Sequence, residues 1–237
     1  MKTYRMLGIV AIMTMVMTSC VQRQERSRNA DKYENWKASL ADSVAVLEKR
    51  RTLAEDSLTN AYNTVDSLLK DFAYSENPRE VEGYTILKSA KKSYPLSRTG
   101  LTARISKSEG FELVAVLSGN TFSSISVSDG SRSVRSAVVP HDQALNYRSG
   151  NLTTVLFTGA EADSIGMLLA SGGPERFNVT YSGQSGKGIV VPVSATDVAV
   201  VSRTWQLAEA RREVHRLEMT LPLISRKIDL LRQRMDK

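Results

Sequence analysis

The chain of 237 residues contains two histidines and one cysteine, the residue types most often used in catalysis and metal binding. His141 lies in "VVPHDQ", which reads as a turn, and Asp142 is its neighbour in sequence rather than a partner placed to orient the ring. His215 flanks an apolar helical pattern. Neither histidine stands at a spacing typical of a metal site. We interpret both as surface residues and predict no catalytic residue, no metal and no cofactor.

The glycine-rich stretch "GQSGKG" at 183–188 has the composition of a phosphate-binding loop. Such a loop needs a glycine where Tyr181 stands and a serine or threonine where Gly188 stands, and a helix should follow it. Here a strand-like run follows, so we predict a hairpin turn. The nucleophile motif GxSxG is also absent. A catalytic site assembled from distant residues stays open, with an envelope hydrolase as the least favoured function.

The cysteine, Cys20, ends an N-terminal segment that has the features of an export signal. Lys2 and Arg5 give a positive start, and an apolar run from Leu7 to Met17 follows. That run is too short to cross a bilayer core of about 30 Å. We predict that residues 1–19 are a signal peptide.

The residues "MTSC" at 17–20 resemble the lipobox of bacterial lipoproteins, with Met17 where leucine is usual. The resemblance covers the signal segment only. It implies that Cys20 becomes the first mature residue and carries acyl chains, such as palmitate, that anchor the protein stably. Ordinary cleavage with Cys20 as a free thiol is the alternative. The polar residues 20–32 are predicted to form a flexible tether. Because no acidic run follows the cysteine, we expect the periplasmic face of the envelope, at the outer membrane rather than the inner.

Four serines share a short pattern in which aspartate precedes the serine and an aliphatic residue follows it. This pattern is similar to an O-glycosylation sequon of periplasmic proteins in some Gram-negative anaerobes, which makes the four serines candidate acceptors. Equally, such triplets arise freely on amphipathic helices. The candidates are Ser43, Ser57, Ser67 and Ser164.

The formal charge of +7 is not spread along the chain. The excess lies in residues 203–237, which hold nine basic and five acidic residues. A nucleic-acid-binding domain would show a broader basic footprint, so we predict no nucleic-acid partner. The basic C-terminal end, with the arginines of 20–32, is expected to face lipid headgroups. A solvated helix end that complements the helix dipole explains it equally well.

Two long segments, 33–76 and 194–237, repeat apolar residues at alternating spacings of three and four, which predicts two long amphipathic helices. Ser194 and Asp197 in "SATD" predict a capping box at the start of the second. Pro222 keeps the apolar phase, so a kink is expected there rather than a break. The predicted seam comprises Leu47, Leu58, Val65, Leu68, Val214, Leu217, Leu221, Ile224, Ile228 and Leu231.

Because the two stripes match in length, we predict that the helices pair as an antiparallel coiled-coil stalk. Separate packing of each helix on the central domain is the alternative. The charged residue Arg51 falls on the seam and indicates either an acidic partner or a contact in a homodimer.

Residues 80–193 are rich in serine, glycine, threonine and valine and contain short alternating runs. We predict an inserted, mostly antiparallel β domain, a sandwich or half-barrel of six to eight strands, with one short helix near residues 158–173. Asp129-Gly130 marks a hairpin turn, and Pro192 marks an edge strand. The fold class is therefore α+β.

These features favour a non-catalytic envelope lipoprotein in which the stalk presents a β domain to a protein or glycan partner. The alternative is a periplasmic chaperone or adaptor that holds clients with its coiled coil.

Overall fold

The structure is a computed structural model, and it describes the backbone of residues 4–76, 83–108, 110–142, 144–171, 177–183 and 188–236, with side chains from residue 31 onward. The described residues form an α+β fold, as predicted. Its helices are α1 (Tyr4–Leu69), α2 (Lys88–Lys91), α3 (Gly159–Ser171) and α4 (Ala195–Met235).

The strands form two sheets in which every pairing is antiparallel. The larger sheet has the order β1-β2-β3-β4-β8-β7 and the smaller has the order β10-β9-β5-β6. The strands of the larger sheet are β1 (Phe72–Ser75), β2 (Tyr84–Leu87), β3 (Gly100–Ser106), β4 (Phe111–Ser118), β7 (Asn146–Ser149) and β8 (Leu152–Phe157). Those of the smaller sheet are β5 (Ser124–Ser128), β6 (Ser133–Arg135), β9 (Asn178–Ser182) and β10 (Ile189–Pro192).

The inserted segment forms antiparallel strands, as predicted, and two details of their arrangement are confirmed. Gly130 takes a positive φ of 94° in the turn between β5 and β6, a conformation that costs glycine little. Pro192 lies in β10, at the edge of the smaller sheet, where its missing donor breaks no ladder bond. The described residues contain ten strands, more than the six to eight predicted, and β1 lies outside the predicted β domain of 80–193.

The first helix differs from its predicted range at both ends. Residues 20–32, predicted as a flexible tether, are helical, because no glycine or proline interrupts the chain between residues 9 and 77. The helix ends at Leu69 instead of continuing to 76. Phe72, which continues the heptad spacing, is instead the first residue of β1.

The second helix begins where the sequence predicts. The Ser194 hydroxyl accepts a hydrogen bond from the Asp197 amide at 3.1 Å, which is half of the predicted capping box. The helix runs through Pro222 without a break. None of the helices in the described part of the chain offers an apolar stretch of membrane-spanning length.

The chain divides into two compact units, and the division falls within both long helices. We call the residues up to Ser57 and from Leu217 onward the helical unit, and Leu58–Arg216 the β unit. In the helical unit, Val44, Ile224 and Ile228 form a buried apolar cluster, against which Leu47, Leu231 and Met235 pack.

The β unit has one main apolar core, to which both sheets and the flanking helices contribute. Leu113 of β4, Val179 of β9, Leu169 of α3 and Val201 of α4 are examples, all nearly inaccessible to water. A smaller cluster of Leu96, Val114, Val116 and Leu156 forms separately. Burial of this kind supplies roughly 1.5–3 kcal/mol per large aliphatic side chain.

Candidate functional site

An open depression of about 500 Å³ lies in the β unit, lined by the end of α1 and by Arg203 of α4. Four uncharged polar residues of α1 line it at spacings of three and four, which places them on one face of the helix. They are Asn60, Asn63, Thr64 and Ser67. Leu68, which is itself buried, completes the lining.

The guanidinium of Arg203 in this depression is held by hydrogen bonds. Arg203 donates from Nη2 to the Asp71 carboxylate at 3.0 Å and from Nη1 to Gln206 at 3.4 Å. Both partners of the Arg203–Asp71 pair are about half exposed, so the pair orients the guanidinium and adds little stability. The carboxamides and hydroxyls beside it offer both donors and acceptors. This combination suits a polar, uncharged ligand with many hydroxyl groups.

The segment of α4 beside the depression is held in place, because its inward residues are packed in the main core. Val201 and Leu207 are inaccessible to water, and the buried Thr204 hydroxyl donates to the Val200 carbonyl at 2.8 Å. The depression is thus built on helices whose other faces are fixed by the core.

A buried carboxylate attaches the start of α4 to the larger sheet. Asp197 accepts two hydrogen bonds from Arg98 and one, at 3.1 Å, from the backbone amide of Leu101. The hydrogen bond to Asp197 raises the pKa of Arg98. A Cβ on Gly100 would lie 2.5 Å from an Asp197 oxygen, so a larger residue there would have to displace the carboxylate. Tyr181 donates to the Gly100 carbonyl at 3.2 Å, and burial raises the pKa of its hydroxyl.

A second buried polar group lies around Arg104. Its Nε donates to Glu112 at 2.5 Å and its Nη1 to the Tyr94 hydroxyl at 2.8 Å. The guanidinium also lies 4.6 Å from the centre of the Tyr84 ring, a cation–π distance. Because Arg104 is buried and its partners Glu112 and Tyr94 are partly buried, we assign this group to the architecture of the sheet.

The histidines are placed apart from these groups. His141 and His215 are exposed, and Asp142 does not orient His141. Instead, its carboxylate accepts the backbone amides of Asn146, Leu145 and Ala144, which lower its pKa. Among the described residues no group of three metal-ligating side chains is found. Residues 184–187 of the glycine-rich stretch lie outside the described part.

The candidate modification sites lie on helices. The hydroxyls of Ser43, Ser57 and Ser164 each donate to the carbonyl four residues earlier. Ser67 is exposed and lines the depression. Cys20 falls within α1, but its side chain lies outside the described ones.

The predicted seam is divided between the two units. Leu47, Ile224, Ile228 and Leu231 belong to the cluster of the helical unit. Val65 and Leu68 instead contribute to the main core of the β unit. Leu217 is buried, and Leu58, Val214 and Leu221 are half-buried.

The depression was missed at the level of sequence, although a signal for it exists. Residues 57–65 of α1 carry no charge, whereas the preceding stretch 23–56 of the same helix is richly charged. An exposed, uncharged polar face on such a helix is the feature that marks Asn60, Asn63 and Thr64.

These features define an α+β chain with a helical unit, a β unit and a polar depression. No protein-family model matches the chain, and neither the curated proteins nor the solved structures include one similar enough to match.

Proposed function

We propose that the protein is an envelope lipoprotein, anchored through acyl chains on Cys20, whose β unit is a non-catalytic binding module. The observation that carries the anchor is the position of the chain's single cysteine, directly after a basic start and an apolar run. The periplasmic face of the outer membrane is the proposed location.

Fatty-acid labelling in cells tests the anchor. The chain should incorporate an alkyne-tagged fatty acid, and its intact mass should show acylation with residues 1–19 removed. Cys20→Ala should abolish labelling, whereas Ser19→Ala should keep it, because a small residue is preserved there. Equal labelling of the Cys20→Ala variant would disprove the anchor.

We infer that the helical unit is an antiparallel coiled coil. Arg232 of α4 pairs with Glu48 of α1. The pKa of Lys37 is raised, first by a hydrogen bond to Tyr33 and also by the charge of Asp236. With Val44 and Ile228 at heptad position a, Glu48 and Arg232 both fall at position e, and e residues face each other when the two helices run in opposite directions.

An engineered disulfide tests this pairing. Glu48→Cys with Arg232→Cys should cross-link on oxidation faster than the control pair, because the ion pair shows that these two positions lie on facing sides of the helices. Glu48→Cys with Leu223→Cys, which puts the second thiol more than two turns away, is the control and should stay reduced. Cross-linking of both pairs alike would contradict the arrangement.

For the β unit we propose a glycan as the ligand, bound in the depression. Carboxamide, hydroxyl and guanidinium groups match the alternating donors and acceptors of sugar hydroxyls. Binding of the full chain to a panel of envelope oligosaccharides should be lost in Asn60→Ala/Asn63→Ala. It should be retained in Asn35→Ala, a change at an exposed asparagine of the helical unit.

The candidate acceptor Ser67 makes a sharper test of the same site. A hexose on Ser67 would occupy the depression, so a glycosylated Ser67 and an external glycan ligand exclude each other. Mass spectrometry of the mature protein reports the first state. If Ser67 is unmodified and no oligosaccharide binds, the glycan proposal fails.

A chaperone or adaptor is the second candidate, favoured by four aliphatic side chains that the helical unit exposes. They are Val46, Leu53, Leu223 and Leu230. A chaperone should suppress light scattering by an unfolded outer-membrane protein, and serine at these four positions should remove that effect. A binding module should leave the scattering unchanged.

A further inference from the structure

The helical unit has two flanks of different composition beside its apolar cluster. With Val44 and Ile228 at heptad position a, and Leu47 and Leu231 at d, positions c and g lie on one side of each helix and positions b and e on the other. In an antiparallel pair the c/g sides of both helices form one flank. The ion pair between Glu48 and Arg232, both at e, fits this arrangement on the opposite flank.

We call the c/g side the basic flank, because over residues 31–57 and 217–236, where side chains are described, it carries cations and apolar groups and no carboxylate. Its cations are Lys32, Arg50, Lys227 and Arg234, and its apolar side chains are Trp36, Val46, Leu53, Leu223 and Leu230. Over the same described residues, the b/e side carries one cation, Arg232, and seven carboxylates: Asp31, Glu34, Glu48, Glu55, Glu218, Asp229 and Asp236.

The apolar side chains of the basic flank are open to solvent, unlike those of the cluster. Val46, Leu53, Leu223 and Leu230 are 69%, 58%, 67% and 51% exposed, whereas Ile228 is 1% exposed. Isolated exposed aliphatic residues are ordinary on protein surfaces. Their alignment on one flank with unopposed cations is typical of segments that lie in a membrane interface.

We propose that the basic flank binds the surface of a bilayer that contains anionic lipid. Its cations complement lipid phosphates, its aliphatic side chains suit the acyl boundary, and tryptophan favours the headgroup level. A second copy of the chain fits less well, since a two-fold contact would place the same cations against each other. The proposal rests on the inferred helix pairing and does not require acyl chains on Cys20.

Fluorescence of Trp36 in vesicles tests the contact. The full chain is reconstituted into vesicles of brominated phosphatidylcholine, alone or mixed with phosphatidylglycerol. Trp36 should be quenched only in the mixed vesicles, and high salt should reverse the quenching because it screens exposed charges. In Trp36→Phe the quenching should disappear, because the remaining tryptophan, Trp205, packs against the core of the β unit.

Matched variants assign the effect to the flank. Each basic residue near an anionic surface contributes roughly fivefold, so Arg50→Gln/Lys227→Gln should lower the bound-to-free ratio of the flank about thirtyfold. Leu223→Ser should also reduce quenching. Lys92→Gln/Lys107→Gln removes the same charge from exposed positions of the β unit and should change nothing.

Each alternative gives a different result and overturns the proposal. Equal quenching in neutral vesicles, or a flank variant that behaves as the wild type, shows that the anionic contact is absent. A dimer in sedimentation that the same variants dissolve assigns the flank to self-association. Disulfide trapping and intact mass report the helix pairing and the Cys20 anchor separately, so failure of either is not confused with failure of the flank.

Discussion

Replacement of Asp197 tests whether the stability of the β unit depends on its carboxylate. The sequence predicted this residue only as part of a helix capping box. Its side chain is 4% exposed and receives the Leu101 amide as well as Arg98. Leu101 is itself 1% exposed, and its buried amide has the Asp197 carboxylate as its hydrogen-bond acceptor.

The loss of stability on removing the Asp197 carboxylate has two parts, one for Leu101 and one for Arg98. Leaving a buried amide without an acceptor costs about 1–3 kcal/mol. The Arg98 side chain is 51% exposed, so solvent screens the ion pair and we assign it less than about 1 kcal/mol. Asp197→Ala should therefore lower the free energy of unfolding by about 1–4 kcal/mol. Asp197→Asn keeps an oxygen for Leu101 and should cost only about 1 kcal/mol.

Urea unfolding in a Trp36→Phe background measures this, because Trp205 then reports the β unit alone. Ser194→Ala is the comparison variant, since loss of the cap at the same helix start should cost about 1 kcal/mol. If Asp197→Ala and Asp197→Asn have the same midpoint, or if the alanine variant costs no more than Ser194→Ala, the hydrogen bond to Leu101 is not what stabilises this junction.

Three further changes test other parts of the structure. Gly166→Ala should lower the melting temperature although alanine favours helices by about 1 kcal/mol, because its Cβ would lie 2.5 Å from a Trp205 ring carbon. Ile228→Ala should destabilise the helical unit by about 2–5 kcal/mol, and Leu230→Ala by less than about 0.5 kcal/mol, in circular-dichroism melts. The pKa of Asp142 lies below its usual value, so its contribution is present above about pH 4 and is lost as pH falls through the folded pKa. Amide exchange in the turn that follows should therefore quicken at acid pH, and Asp142→Asn should remove that dependence.

Most of the β unit follows from local signals. The Asp129-Gly130 turn and the proline of β10 are read from residue types whose backbone limits are strong. The strand β1 was missed because Phe72 stands seven residues after Val65 and so continues the heptad. Spacing alone does not show that Lys70 and Asp71 turn the chain between them. Partner strands, rather than the local sequence, make this segment extended.

The capping box shows the same limit for side chains. Ser194 caps its helix as predicted, because the bond spans three residues. Asp197 was expected to reach back to the Ser194 amide, yet it bonds Arg98 and Leu101, which lie almost a hundred residues earlier in the chain. A local rule names the residue types that fit a position, whereas the tertiary partner decides which bond forms. The polar depression escaped prediction for the same reason, since Arg203 completes it from a distant helix.

In the helical unit, the relative direction of the two helices decides which charged residues lie on the same flank. Seam residues fix which side of each helix is buried, whether the two helices run parallel or antiparallel. The flanks differ, because a parallel pair would set the c/g side of α1 beside the b/e side of α4. The cations of Arg50 and Lys32 would then lie with Asp229 and Asp236, and no uncompensated basic surface would exist. Antiparallel pairing, with Glu48 against Arg232, instead collects the cations on one flank. An anionic surface that recognises the protein through this flank therefore recognises the direction of its helices, so vesicle binding through the flank requires that the disulfide trap also succeeds.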